Sequence, residues 1–264
     1  MKASIITVSY NSHETIYRTV KSVKRQTYPD IEYIVVDGGS KDGTVEILEE
    51  NEKALDNWIS EPDEGIYDAM NKGIRMSTGD IIGIINSDDW YEPEAVETAV
   101  QIFEHNKNVD LVHGAMDVWR EEGDLHARYR PVRYMSPKYA TPYHHPTCFV
   151  RKDVYRDIGL FDQRFSTAAD YDFMLRFLSS EKYAVCVDKV LANFTRGGET
   201  TSSARSPYAQ LWRVLRKNDY GLLESIQGLA FRALRDLAVF SVNRFSLKGV
   251  RRYMRQLAPY HSKE

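Results

Sequence analysis

Two adjacent carboxylates, Asp88 and Asp89, follow an apolar run of Ile81, Ile82, Ile84 and Ile85, with Asn86 and Ser87 between. Such a pair repels itself unless something neutralises it, and a divalent metal shared with a substrate's phosphates is a common reason to tolerate it. A turn or helix N-cap is the plainer account, since Asn, Ser and Asp favour both and Pro93 soon begins a helix. Asp37 heads DGGSKDGT; a carboxylate at a strand's end can accept hydrogen bonds from a flat heterocycle's N–H groups or a ribose's hydroxyls, while Gly38 and Gly39 clear the approach. An ordinary glycine turn leading to a helix at Asp42 or Thr44 explains the same stretch. Asp170 and Asp172 stand in STAADYDFMLRFL, ahead of Met174, Leu175 and Leu178, so they read as first-turn acids favoured by a helix dipole. The neighbouring His144 and His145 suggest a metal, but consecutive side chains usually diverge, which argues against a shared ion.

These residues need elements to hold them. The run from Ile81 to Ile85 is too short for a helix and rich in β-branching, as a parallel strand buried on both faces requires. Asn86 to Asp89 must then emerge at its C-terminal edge, where open α/β sheets bind ligands. The chain opens with a strand, Ser4 to Ser9, followed by a helix with Ser12 as N-cap candidate and Ile16, Val20 and Val23 at helical spacing up to a stop near Pro29. A second strand, Tyr33 to Val36, delivers Asp37; a helix to about Asn51 and a strand from Trp58 to Ser60 follow. In EPDEGIYDAMNKGI, Pro62 and Gly65 mark a loop and Ile66, Met70 and Ile74 an apolar helix stripe. Asp63 is then placed to touch ribose or base and Lys72 to approach phosphate, although surface helices often carry such charges idly. There is no glycine between Met1 and Asp37 and no Walker lysine motif, which excludes both familiar phosphate-cradling loops.

At 264 residues the chain suits one large α/β domain with an appended segment. Cys148 and Cys186 sit far apart in apolar contexts, which points to buried thiols rather than a disulfide or metal site. No apolar run reaches membrane-spanning length, and Met1-Lys2-Ala3 leads straight into a strand rather than a signal peptide, so a cytoplasmic protein is expected. The net charge of −3 hides an asymmetry: 12 Lys and Arg against 4 Asp and Glu from Ala204 onward leave −11 for the first 203 residues. An acidic body suits metal binding, and a basic tail points to an anionic surface.

The succession TVSYN, VVDGGSKDGT, EPDEGIYDAMNKG and INSDD, with ADYD farther on, resembles the family 2 glycosyltransferases over residues 3 to about 200. That resemblance implies the GT-A fold, a mixed α/β central sheet flanked by helices, here with a C-terminal helical extension, and a nucleotide-diphospho-sugar donor, UDP-linked by preference and GDP-linked as the alternative. It implies donor contacts from Thr7, Ser9, Asn11, Asp37, Gly39, Asp63, Lys72, Asn86, Ser87 and Asp88, and Mn²⁺ or Mg²⁺ on Asp88 and Asp89. Asn86 replaces the first acid of the family's D-x-D-type motif, which shifts metal binding toward Asp89. Asp170 takes the place of the catalytic base, although Ala169 stands where a glutamate is usual. His145 would line the acceptor pocket, with Asp172 supporting the same side. The polar TRGGETTSS segment would close over the donor, and Arg196 would meet the diphosphate in place of a missing histidine.

The remaining chain reads as a helix from about Pro93 to Glu104, a strand at Asp110 to Ala115, a hairpin over residues 116 to 134 turning near Gly123, a strand YAVCVDKVLANF, and helices beyond Ser206. Basic amphipathic helices carrying Arg232, Arg235, Arg244, Arg251, Arg252 and Arg255 suit an anionic membrane face; a helical subdomain packed on the body, or a homodimer contact, is the alternative. The expectation is a domain over 1–203, a basic segment over 204–264, and an inverting transferase adding a sugar to a hydroxyl of a lipid-linked glycan in bacterial cell-surface polysaccharide synthesis. It would lie at the inner face of the membrane and have no nucleic-acid partner. A sugar-nucleotide-forming nucleotidyltransferase would want a Gly- and Lys/Arg-rich first loop, which TVSYNSHET is not, and a non-catalytic sugar-nucleotide or glycan-binding protein would not need both Asp89 and Asp170.

Overall fold

The computed structural model describes residues 1–120, 123–131, 136–196 and 207–244. The segment TRGGETTSS beyond Arg196, the border at residue 203 and the last part of the expected basic helices, with Arg251, Arg252 and Arg255, lie outside the described residues.

The first half alternates strand and helix: β1 (Ala3–Ser9), α1 (Ile16–Lys24), β2 (Ile31–Asp37), α2 (Thr44–Glu50), β3 (Asn57–Ser60), α3 (Ile66–Met76) and β4 (Ile81–Asn86). Every residue of β1 and β4 is buried, as strands covered on both faces must be. These four strands pair in parallel in the order β3-β2-β1-β4, so all their C-terminal ends lie along one edge. Beyond them come β5 (Trp90–Tyr91), α4 (Ala95–His105), β6 (Val109–Arg120), β7 (Leu125–Tyr129), β8 (Phe149–Arg151), α5 (Lys152–Ile158), α6 (Ala169–Leu178) and β9 (Tyr183–Arg196). The sheet continues β4-β8-β6-β9-β5, with β8 antiparallel to both neighbours and β7 pairing with β6. β6 runs farther than its apolar run suggests, because past Ala115 it pairs on one side with β9 and on the other with β7.

One core packs α3, α5 and α6 on the sheet through residues such as Met70, Ile74, Val154 and Phe173. The other face carries α1 and α4 through Ile16, Val20, Val100 and Phe103. Glu32, a carboxylate inside the sheet, is paired: burial pushes it up, yet hydrogen bonds from Ser4, Thr78 and Lys2 bring it down to about 2. α7 (Pro207–Lys217) and α8 (Leu222–Arg244) complete the described chain. Val214 and Leu215 of α7 are fully buried in the first core, so this helix is packed on the body. Ser12 does not cap α1: its hydroxyl donates to the Tyr10 carbonyl and lies 2.6 Å from Ser87 Oγ, and the helix begins one turn later. Cys148 is buried and Cys186 half-buried, and no disulfide joins them.

Candidate active site

Three loops meet at the shared strand edge. Asp37, wholly enclosed, folds the second of them: Oδ2 accepts from the Gly39 and Ser40 N–H groups at 3.1 and 2.9 Å and from Ser60 Oγ at 2.7 Å, while Oδ1 accepts from Ser40 Oγ. Asn11, at φ 46°, locks the first loop to it by donating N–H to Ser40 Oγ at 2.7 Å and accepting from Lys41 N–H at 3.1 Å. Gly38 is where the loops touch, since a Cβ there would lie 2.6 Å from Asp63 Oδ2 and 3.2 Å from the Tyr10 ring. Gly39, at φ 80°, takes a left-handed turn that other residues resist. The two glycines thus let the loops pack closely: Gly38 is buried beneath Tyr10 and Asp63, which are themselves exposed and half-exposed, and Gly39 lies against Pro62.

The acid pair stands one strand farther along. Asp89 is completely buried; Oδ1 accepts from Thr195 N–H at 2.9 Å and Oδ2 has no hydrogen-bond partner among the described residues. Burial, then the neighbouring Asp88, hold its carboxyl well above the usual range, and burial raises Asp88 as well. Asn86 Oδ1 and Ser9 Oγ are likewise buried without partners. Arg18 braces this turn, donating to the Asp88 carbonyl at 2.6 Å and to Thr195 Oγ1 at 2.9 Å while its guanidinium lies 4.0 Å from the Trp90 ring. Thr19 adds hydrogen bonds to the carbonyls of Ser87 and Asp89.

Asp170, in the first turn of α6, accepts the Tyr67 hydroxyl on Oδ1 at 2.9 Å and turns Oδ2 toward His145 Nδ1, 4.0 Å away. Burial lowers the His145 imidazole, with Asp170 acting against it, and its Nε2 has no partner among the described residues. Asp170 borders a cleft of about 270 Å³ that α6, α7 and α8 enclose together.

The model of glycosyl transferase family 2 matches residues 4–159 of this chain. An uncharacterised glycosyltransferase of Mycobacterium tuberculosis is 36% identical over 224 residues, 82% of each chain. This chain belongs to glycosyl transferase family 2. Its fold is that of TarS from S. aureus, solved in complex with UDP-GlcNAc, at a TM-score of 0.69 and 24% identity over 94% of this chain and 76% of that one. The mannosyltransferase PcManGT from Pyrobaculum calidifontis, solved with GDP-Man and Mn²⁺, aligns at a TM-score of 0.59 and 17% identity over 98% of this chain and 81% of that one.

Several residues of this glycosyltransferase sit elsewhere than their sequence suggested. Thr7 lies inside β1, fully buried, with Oγ1 3.0 Å from the Tyr33 hydroxyl, so it braces the sheet rather than facing a donor. Lys72 is held by Glu61 at 2.8 Å and Asp68 at 3.4 Å, which ties α3 to the loop bearing Asp63 and leaves its charge already paired. Arg196 lies at the end of β9 with Nη1 3.1 Å from His126 Nε2, while the preceding residue, Thr195, meets the acid pair. Asp172 has no exposed surface: Arg176, Lys217 and Asn218 each lie 2.9 Å from its oxygens, making it a joint between α6 and α7 and not an acceptor contact.

The sequence reading passed over Tyr10, Arg18, Tyr67, Trp90 and Thr195. Thr19 left one signal, a polar residue adjoining the stripe of Ile16, Val20 and Val23 that the fold buries completely. Tyr67, on the buried face of α3, left another in its phenol, which needs a partner when enclosed.

Proposed function

We propose that this protein transfers one sugar, with inversion, from a nucleoside-diphosphate sugar to a hydroxyl of a lipid-linked glycan acceptor in the synthesis of cell-surface polysaccharide. The observation that carries the reading is Asp170, which borders a cleft: one carboxylate oxygen is fixed by Tyr67, and the other accepts no hydrogen bond among the described residues. A base so held takes the acceptor hydroxyl's proton on Oδ2 as that oxygen attacks the anomeric carbon. Burial disfavours the charged form of His145, so its imidazole sets no full positive charge beside that carboxylate.

The donor's nucleoside lies against Tyr10 and Asp63, the side chains that cover Gly38, beside a loop that Asp37 shapes and Asn11 secures. Its diphosphate extends to the end of β4, where Asn86, Ser87, Asp88 and Asp89 gather. The unpartnered oxygens of Asp89 and Asn86 are hard donors that suit Mn²⁺ or Mg²⁺. The described residues contain no group of three or more His, Cys, Asp or Glu that could hold a metal ion, so Asp88 and Asp89 would hold it with the donor's oxygens and water. Such a cation, when bound, neutralises the charge that develops on the departing diphosphate. Arg18 adds a fixed positive charge to the same turn.

The acceptor's lipid follows from α8. Leu223, Ile226, Leu234 and Leu237 recur at helical spacing and are exposed, while Ser225, Gly228 and Arg232 on the opposite side pack on the body. With the basic tail, this stripe suits an anionic membrane surface. Among the described residues no helix is long and apolar enough to cross a membrane. Thermal-shift measurements with UDP-, GDP- and dTDP-sugars, with and without Mn²⁺, test the donor reading. Metal-dependent stabilisation by one nucleotide class is expected; none from any of them would sink it.

A further inference from the structure

All the residues lining the cleft beside Asp170 except Thr141 lie beyond the segment matched by the family model, and much of the lining comes from the C-terminal helices. Tyr171 of α6, Tyr208 of α7, and Arg232, Arg235 and Asp236 of α8 line it together with Asp170. At about 270 Å³ it falls just below the roughly 300–1,000 Å³ of sites for drug-sized ligands, which leaves room for a single sugar ring but not for a nucleotide.

The charges of the cleft are balanced and already engaged. Arg232 donates to the carbonyls of Lys138 and Pro137 at 3.2 and 3.1 Å and lies 4.9 Å from the Tyr171 ring. Arg235 donates twice to Asp236 Oδ1, at 3.1 and 3.0 Å, and the Tyr208 hydroxyl donates to Asp236 Oδ2 at 2.7 Å. Two carboxylates therefore stand against two guanidinium groups. An entering carboxylate or phosphate would have to break the Arg235–Asp236 pair and would then face Asp170 and Asp236 unscreened. Sugar hydroxyls meet no such penalty, because each can donate to a carboxylate while accepting from a guanidinium, and the ring's C–H faces can rest on the tyrosines.

Resting on the proposed transferase reading, we propose that this cleft is the acceptor subsite and takes a neutral, hydroxyl-rich sugar ring, with Arg235 and Asp236 of α8 as its specificity-determining residues. Transfer specificity is then written in the C-terminal helices, while donor chemistry stays at the sheet edge. The arrangement also joins the two functions of α8, whose cleft-facing residues read the sugar while its opposite stripe faces lipid.

Saturation-transfer NMR on the full chain with Mn²⁺ tests this, using methyl β-glucoside, methyl β-N-acetylglucosaminide and methyl β-glucuronide as acceptor probes and UDP and GDP as donor-site probes. Transfer to at least one neutral glycoside and none to the glucuronide is expected. Asp236→Asn and Arg235→Ala should each weaken that binding roughly tenfold, as the loss of one or two hydrogen bonds to a sugar implies, with nucleotide binding unchanged. Both side chains are exposed, so the variants should fold; Tyr208→Phe, which removes only the hydroxyl held by Asp236, should act in the same direction. A glucuronide that binds as well as the neutral sugars, variants that bind them like wild type, or no glycoside binding while a nucleotide binds would each overturn the proposal. If neither nucleotide binds, the transferase reading fails first and the subsite falls with it.

Discussion

The Tyr67 hydroxyl donates to Asp170 Oδ1 at 2.9 Å across 103 residues of sequence, joining the helix after β3 to the helix that faces the cleft. Burial, then the charge of Asp170, raise the Tyr67 phenol well above its ordinary value, so it remains a donor throughout the working pH range. Asp170→Asn should therefore cut turnover by roughly 10²–10⁴-fold with donor affinity near wild type, because a general base acts in the transition state. Tyr67→Phe should cost about tenfold in kcat and little in donor KM, since it frees the carboxylate to rotate without removing it. Steady-state kinetics separates the two, and a loss of donor binding in Asp170→Asn would assign that acid to the nucleotide instead.

At the acid pair, Asp88→Ala should abolish metal-enhanced binding of nucleoside diphosphate. Asp89→Ala should do so as well, and should also destabilise the fold by about 1–3 kcal/mol, because the Thr195 N–H loses its buried acceptor. Calorimetry with and without Mn²⁺, beside urea unfolding, reads both effects. Unchanged metal-dependent affinity in either variant would remove that residue from the site.

Asp172 offers a contrast with Asp170 two positions away. Replacing it with alanine leaves Arg176 and Lys217 without their shared buried anion, and loss of one partner of such a cluster typically costs about 3–5 kcal/mol. Chemical denaturation should show this, while nucleotide affinity measured below the transition stays near wild type. A stable Asp172→Ala protein with a selective loss of acceptor turnover would return the residue to the catalytic side.

Because Lys217 at the end of α7 and Asn218 just after it bond Asp172, deleting the chain from about Ser206 should unfold the body rather than merely release it from membranes. The membrane reading is better tested by Leu223→Gln, Leu234→Gln and Leu237→Gln together, which alter only the exposed stripe. Vesicles rich in anionic lipid should sediment the intact protein, less so at high salt, and the triple variant weakly or not at all. Equal sedimentation of both proteins would point to the packed-subdomain account alone.

His113 supplies a pH dependence. Burial lowers its imidazole to about 4 against a folded ring contact with Tyr143, so the unfolded chain binds a proton that the folded chain refuses. Stability should be full above pH 6.5 and fall by up to about 3 kcal/mol as pH drops from there toward 4. His113→Phe should flatten that limb in urea titrations; an unchanged slope would place the proton uptake elsewhere.

The alternation of apolar runs and helical stripes was legible in the chain, because a parallel strand covered on both faces must be apolar throughout and a helix packed on one side must repeat near 3.6. The acids that end β2 and β4 were legible for the same reason, since charge cannot continue into a covered strand. Partners were not. Whether Asp170 or Asp172 faces the cleft depends on which side of α6 the last helices cover, and Lys217 and Asn218, 45 and 46 residues away, settle it by enclosing Asp172. Thr7 belongs to the sheet because register places Ile5 opposite Tyr33 and turns the phenol toward its hydroxyl. Arg18 reaches the acid turn only because α1 packs beside β5, 70 residues farther along. Local pattern carries the period of an element and the chemistry of its ends, whereas hydrogen-bond partners and burial are fixed by how distant elements meet.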